Sequence, residues 1–232
     1  MLTFRDYIFL KEGGNVFSNT GRISRDDVSS TVNHLEEITG LPLKNNMLGS
    51  TGKAADSGDI DLVVDSSAVS KTELESRLQA YWKQHSVDTV GTKKSGISVH
   101  FLSPVWDKQD KITGKYVQVD FMFSDDPEFL KWFYAANESA PFKGKDRNIL
   151  LSAVAKNKGY SLSINGLINR DTKQVITKKP DEIAKLVFNK KATANDLNNI
   201  QSIIRKLIWI YGSEKAKTII QDAETTTGHT FI

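Results

Sequence analysis

Asp59 and Asp61 stand two residues apart in GDIDLVV, and Asp120 stands among apolar neighbours in VQVDFMF. Alternate residues of a strand project to one side, with Cα atoms roughly 6.5 to 7 Å apart. Asp59 and Asp61 therefore share a face opposite Ile60 and Leu62. If VQVDFMF lies beside DIDLVV, Asp120 becomes the third member of an oxygen-rich site. An aspartate buried alone in such a strand is expensive. Three adjacent carboxylates repel one another unless cations neutralise them, which makes magnesium or manganese the natural partner. Two such ions held roughly 3.5 to 4 Å apart suit in-line displacement at a phosphate.

Upstream, LGSTGK supplies a turn in which Gly49 and Ser50 let backbone N–H groups approach a phosphate closely. The Ser50 hydroxyl adds a donor, Gly52 keeps the loop compact, Lys53 brings a point charge and Gly58 gives a tight approach to the strand. The four histidines, His34, His85, His100 and His229, have no metal-ligand spacing to one another, so neither a zinc site nor a histidine base is expected.

These residues need elements to hold them. SRDDVSSTVNHLEEITG opens with Ser24 and Asp27, places Val28, Val32 and Leu35 on one face and stops at Gly40, a helix pattern. NNMLGS predicts a short strand entering the turn, and SKTELESRLQAYWKQH a helix packing Leu74, Leu78, Tyr81 and Trp82 on a sheet. GISVHFLSP and KYVQVDFMF alternate with period two, which predicts strands joined by a polar link of about ten residues. DPEFLKWFYAANE and DRNILLSAVAKNKG read as helices, the latter capped by Asp146. YSLSINGLINRDTKQVIT predicts a hairpin, PDEIAKLVF a helix opened by Pro180, and the segment around Gly212 closing helices with Trp209 in the core. The tail QDAETTTGH is expected to add little to that core. The fold class is α+β, with a mixed sheet near residues 46–123 and a helical second half.

Length, charge and cysteine usage narrow the class further. The 232 residues suffice for one sizeable core or for a catalytic domain with an appendage. Absence of cysteine removes disulfides, thiolate zinc sites and cysteine nucleophiles, and agrees with a reducing, cytoplasmic setting. No run approaches a membrane span and the N-terminal residues do not read as a signal peptide, so no membrane partner is expected. A net charge of +3 is too mild to identify a nucleic-acid binder. Lys143, Lys145, Arg147, Lys156 and Lys158 nonetheless bracket an apolar helix, with Arg205 and Lys206 as an extension, and are expected to meet phosphates.

In the order LGS, GDIDLVV, VQVDFMF, the chain resembles the DNA polymerase beta nucleotidyltransferase superfamily, and most of all reduced family X DNA polymerases, over residues 44–190. The resemblance implies a nucleotidyltransferase fold: a helical cap over 1–45, a mixed-sheet palm over 46–135 flanked by helices, and a helical and hairpin nucleotide- and nucleic-acid-binding subdomain over 136–232. It implies that Asp59, Asp61 and Asp120 hold two Mg2+ ions, with Mn2+ able to substitute, and that Ser50 and Lys53 contact a nucleoside triphosphate. It also places Asn148 at the base's minor-groove edge and Trp132, Phe133 and Tyr134 near the sugar. The activity implied is transfer of a nucleotide to a nucleic-acid 3′ hydroxyl, DNA first and RNA second, with pyrophosphate released. Three differences separate the chain from the family, the first being an amino-terminal part without the G-x-G hairpins between helices that grip the DNA backbone and without a recognisable lyase domain. WFYAANESAPFKG replaces a shorter Y-F-T-G turn, and Ser152 stands where an arginine commonly reaches the template. Template-independent or RNA tailing, transfer to a protein or small molecule, and a non-catalytic binding protein are the alternatives.

Overall fold

The computed structural model describes residues 16–85, 91–135 and 144–232. Lys143 and the greater part of the WFYAANESAPFKG insertion lie outside them. The chain divides into two compact units, Met1–Pro127 and Glu128–Ile232. An α+β architecture with a mixed sheet flanked by helices is observed.

In the first unit, strand β1 (Ile23–Ser24) leads into α1 (Arg25–Thr39), then β2 (Asp56–Ser57), β3 (Asp59–Asp65), α2 (Lys71–His85), β4 (Thr92–Ser95), β5 (Ser98–Trp106) and β6 (Ile112–Ser124). The four-stranded sheet has the order β3-β6-β5-β4, with β3 and β6 parallel and the remaining pairs antiparallel. Period-two alternation gives the sheet two unlike faces. Ile60, Leu62, Val64, Val99, Phe101, Val117, Val119 and Phe121 are buried on the face that packs with Val28, Val32 and Leu35 of α1 and with Leu74, Leu78 and Trp82 of α2. The other face carries the aspartates. Helix α1 stops at Gly40, whose φ of 68° carries the αL cap and whose N–H donates to the Glu36 carbonyl.

Several details differ from the sequence expectation. NNMLGS forms only a bridge, Met47 to Leu62, because the two glycines after it turn the chain away at positive φ. The link between β5 and β6 shortens to residues 107–111, closed by the Asp107 carboxylate accepting from the N–H groups of Gln109 and Lys111. Strand β4, polar at every position, has no apolar alternation to announce it.

The second unit contains most of α3 (Pro127–Tyr134), then α4 (Gly144–Lys156), β7 (Tyr160–Ser163), β8 (Gly166–Asn169), β9 (Val175–Thr177), α5 (Pro180–Val187), a 3-10 turn (Ala194–Leu197), α6 (Ile200–Tyr211) and α7 (Ser213–Thr227). The expected hairpin is a three-stranded antiparallel sheet, since Leu167 and Ile168 also pair with β9. Asp146 is no cap. It lies in the first turn of α4, buried, with its carboxylate 3.2 Å from Nδ1 of His229. The tail does contribute: α7 continues to Thr227 and buries Ala216, Ile219, Ile220 and Ala223, and Phe231 packs against the same core. The Thr225 and Thr226 hydroxyls donate to carbonyls four residues back, so the threonine run stays helical. Trp209 is 69% exposed rather than part of the core.

Candidate metal centre

Parallel pairing of β3 with β6 sets Asp61 directly opposite Asp120, and Asp59 opposite Gln118. Residues in register on neighbouring strands face the same way. The three carboxylates therefore converge, with one oxygen from each within 4.8 Å of the others. All three are half-buried. Burial and then Asp120 push the Asp59 carboxyl up to about 6, against a smaller opposing pull from Arg22. Burial, reinforced by Asp59 and Asp120, holds Asp61 well above the ordinary carboxylate range. An all-oxygen donor set under mutual repulsion fits a hard divalent cation, which would relieve both burdens at once.

Asp120 is held by two donors that the sequence reading did not assign. Antiparallel pairing puts His100 opposite Asp120, and its Nδ1 lies 2.7 Å from Asp120 Oδ1. Gln118 Nε2 donates to the same oxygen at 2.8 Å. His100 Nε2 meets Ser95 Oγ at 3.2 Å, and Gln118 Oε1 accepts the Val16 N–H at 2.9 Å. Both partners are thus fixed at their far ends, which locks one oxygen of Asp120 and leaves the other for a ligand. The available signal was period two: His100 and Gln118 fall on the aspartate side of their strands.

The glycine-serine turn lies against this cluster. Leu48 N–H donates to the Asp61 carbonyl, and the buried Thr51 hydroxyl accepts the Asp61 N–H at 3.1 Å. Gly49 has φ 58° and Gly52 φ 70°, conformations that disfavour a side chain. A Cβ on Gly49 would lie 3.8 Å from Asp61 Oδ2, which places the turn in contact with the carboxylate. The Ser50 carbonyl closes the turn by accepting from Lys53 and Ala54. The N–H groups of Gly49, Ser50 and Gly52 meet no acceptor among the described residues, nor does the Lys53 ammonium. Gly58 has no such constraint, because an added Cβ would meet only Arg22 Nη1 at 3.6 Å. Arg22, paired with Asp56 at 2.5 Å, is a cation near Asp59 that sequence reasoning passed over.

The residues expected of the second unit behave differently. Asn148 Nδ2 donates to the Phe133 carbonyl at 2.7 Å, and its Oδ1 accepts from Arg147. Arg147 is not a surface cation: it is 4% exposed, donates to the carbonyls of Leu197, Trp132 and Phe133, and lies over the Trp132 ring. Burial lowers its guanidinium to about 10. Lys156 pairs with Asp222 at 2.9 Å, whereas Lys145 and Lys158 are exposed. The Ser152 hydroxyl lies 3.5 Å from the Leu162 carbonyl.

No family model matches the chain, and no curated protein matches it. Among solved structures, polymerase beta of Leishmania infantum in a ternary P/T complex matches with a TM-score of 0.53 at 13% sequence identity, covering 78% of this chain and 78% of that one. The likeness shows a polymerase beta-like nucleotidyltransferase fold.

Proposed function

We propose that the protein is a divalent-metal-dependent nucleotidyltransferase, acting as a family X-like DNA polymerase that adds a nucleotide to a nucleic-acid 3′ hydroxyl and releases pyrophosphate. The observation that carries this reading is the set of three carboxylate oxygens within 4.8 Å, on paired strands and against a turn with open N–H donors. When bound, two magnesium ions, or manganese in their place, supply a Lewis acid to the acceptor hydroxyl and counter-charge to the phosphates. Asp59, Asp61 and Asp120, the last oriented by His100 and Gln118, would hold the ions. The Gly49 and Ser50 N–H groups and the Ser50 hydroxyl orient the triphosphate, and Lys53 steadies its outer charge. The ternary polymerase neighbour supports nucleic acid and a nucleoside triphosphate as partners.

Template-independent tailing is the second reading. It is favoured by Asn148 Nδ2 and by Arg147 Nε and Nη1, which are engaged on carbonyls of α3 and the 3-10 turn rather than presented outward. The test incubates the protein with magnesium or manganese, each labelled triphosphate, and single-stranded DNA, one-nucleotide-gapped DNA or RNA, with Asp59→Asn as control. Extension of the gapped substrate by the complementary nucleotide supports polymerase activity. Extension of single strands without base preference supports tailing. Absence of transfer to all three rejects a nucleic-acid acceptor.

A further inference from the structure

Helix α6 is amphipathic in one respect and anomalous in another. Its inner face buries Ile200, Ile203, Ile204 and Leu207. Its outer face, which should be polar, presents Trp209 at 69% and Ile208 at 43% exposure. Arg205 lies one turn before Trp209 on that face, exposed and without a carboxylate partner among the described residues. Lys206 Nζ lies 5.5 Å from the Trp209 ring centroid and 3.0 Å from Asp196, so the ammonium is fixed beside the ring. At the end of α6 the ammonium groups of Lys158 and Lys215 each lie 5.2 Å from the centroid of Tyr211. Tyr211 lies one turn beyond Leu207, on the inner side of α6, and its hydroxyl donates to the Val187 carbonyl, so these two cations stand apart from the Trp209 face.

The charge of the whole unit points the same way. Residues 128–232 carry 17 Lys and Arg against 10 Asp and Glu, a net +7, whereas residues 1–127 carry 14 against 18, a net −4. The mild overall charge conceals a basic unit. An exposed aromatic ring beside cations, on a basic unit, suits a ligand with flat apolar groups strung on a polyanion. Duplex DNA keeps its bases stacked and offers none to Trp209. An apolar protein partner would leave Arg205 unanswered.

We infer that the outer face of α6 binds single-stranded nucleic acid, with Trp209 stacking on an unpaired base and Arg205 and Lys206 meeting adjacent phosphates. The inference rests on the nucleic-acid acceptor proposed above for its purpose, yet its test is independent of transfer. Binding is measured on the full chain in chelator, by anisotropy of labelled oligothymidine, oligouridine and a DNA duplex across salt, with oligoglutamate as a polyanion control. Trp209→Ala weakens single-strand binding about tenfold, and Trp209→Phe keeps most of it. Arg205→Ala reduces the salt slope by about 0.7. The tighter of the two strands identifies the sugar. Trp209 is exposed, so both variants keep the parent's circular dichroism and melting curve. Trp209→Ala binding as tightly as the parent overturns the inference, and so does oligoglutamate or duplex binding with the same dependence on Trp209. A protein that binds strands through Trp209 but transfers nothing retains this surface and loses the proposed chemistry; the converse result separates them equally.

Discussion

Arg147 in the second unit and the group Asp59, Asp61 and Asp120 in the first are all withdrawn from water, yet their surroundings treat charge in opposite ways. Arg147 is met by the carbonyls of Leu197, Trp132 and Phe133 and by the Trp132 ring. Asp59 and Asp61 are met by further carboxylates, so burial and repulsion act together to raise them. A charge answered by fixed dipoles serves the fold. Charges set against one another, in a fold held by an apolar face on the far side of the sheet, make the free protein less stable than it could be and leave the difference available to a ligand. The contrast separates two kinds of buried charge that look equally conspicuous in sequence.

Removing one charge from each place gives the strongest break. Asp61→Asn is expected to lower metal-dependent transfer by at least about 10³-fold. In chelator it is also expected to raise the melting temperature by about 2 to 4 °C, because a desolvated, repelled carboxylate is gone. Divalent ions raise the parent's melting temperature and leave the variant's unchanged; calorimetry with and without manganese reads all three effects. Arg147→Met is expected to reverse the pattern, costing about 3 kcal/mol in urea unfolding because buried carbonyls lose their donor, while manganese affinity stays at the parent value. An Asp61→Asn protein that is destabilised, or an Arg147→Met protein that is not, breaks the comparison.

The aspartates were legible because a strand enforces period two and the sheet pairs strands in register: two local patterns fixed a three-residue cluster once β3 lay beside β6. The Gly49–Ser50 turn was legible because positive φ demands glycine at 49 and 52. His100 was not, because its significance comes from cross-strand register between β5 and β6, which no local spacing encodes; Gln118, two residues from Asp120 on the same strand, was within reach of period two and was passed over. Arg147 misled for a related reason. A basic residue in DRNILL looks solvated until the 3-10 turn, fifty residues later, brings the Leu197 carbonyl to it. Trp209 was assigned to the core from the apolar run LIWIY, although helical phase turns it opposite to Leu207. Sheet geometry was predictable from short stretches, whereas the partners of charged side chains depended on contacts distant in sequence.

Asp120 tests how far the contrast extends, since among the described residues its carboxylate has two side-chain donors answering it. His100→Ala is expected to weaken manganese binding about 10- to 100-fold, and Gln118→Ala toward the lower end of that range. His100→Gln, which can still donate to Asp120 Oδ1, is expected to recover part of the loss. Titration calorimetry distinguishes orientation of the carboxylate from bulk stability, because unfolding in chelator changes little in the recovering variant.

The smallest expected effect uses a carboxylate of the first unit that is answered rather than opposed. Glu36 Oε1 accepts the Leu43 and Lys44 N–H groups at 2.6 and 2.9 Å, and its other oxygen lies 3.6 Å from the Lys44 ammonium. Burial alone would raise this group, but those two N–H donors and the Lys44 charge outweigh it and hold the carboxyl below its ordinary 4.5. A folded-state value below the unfolded one gives stability that is fully present above the ordinary value and lost as pH falls through the folded one. Glu36→Gln should therefore cost about 1 kcal/mol at neutral pH and flatten part of the decline in stability below pH about 4.5. Urea unfolding at neutral and acidic pH reads both. Equal acid sensitivity in parent and variant would mean that the two N–H groups do not hold Glu36 ionised, and that an answered carboxylate in this unit is no different from an opposed one.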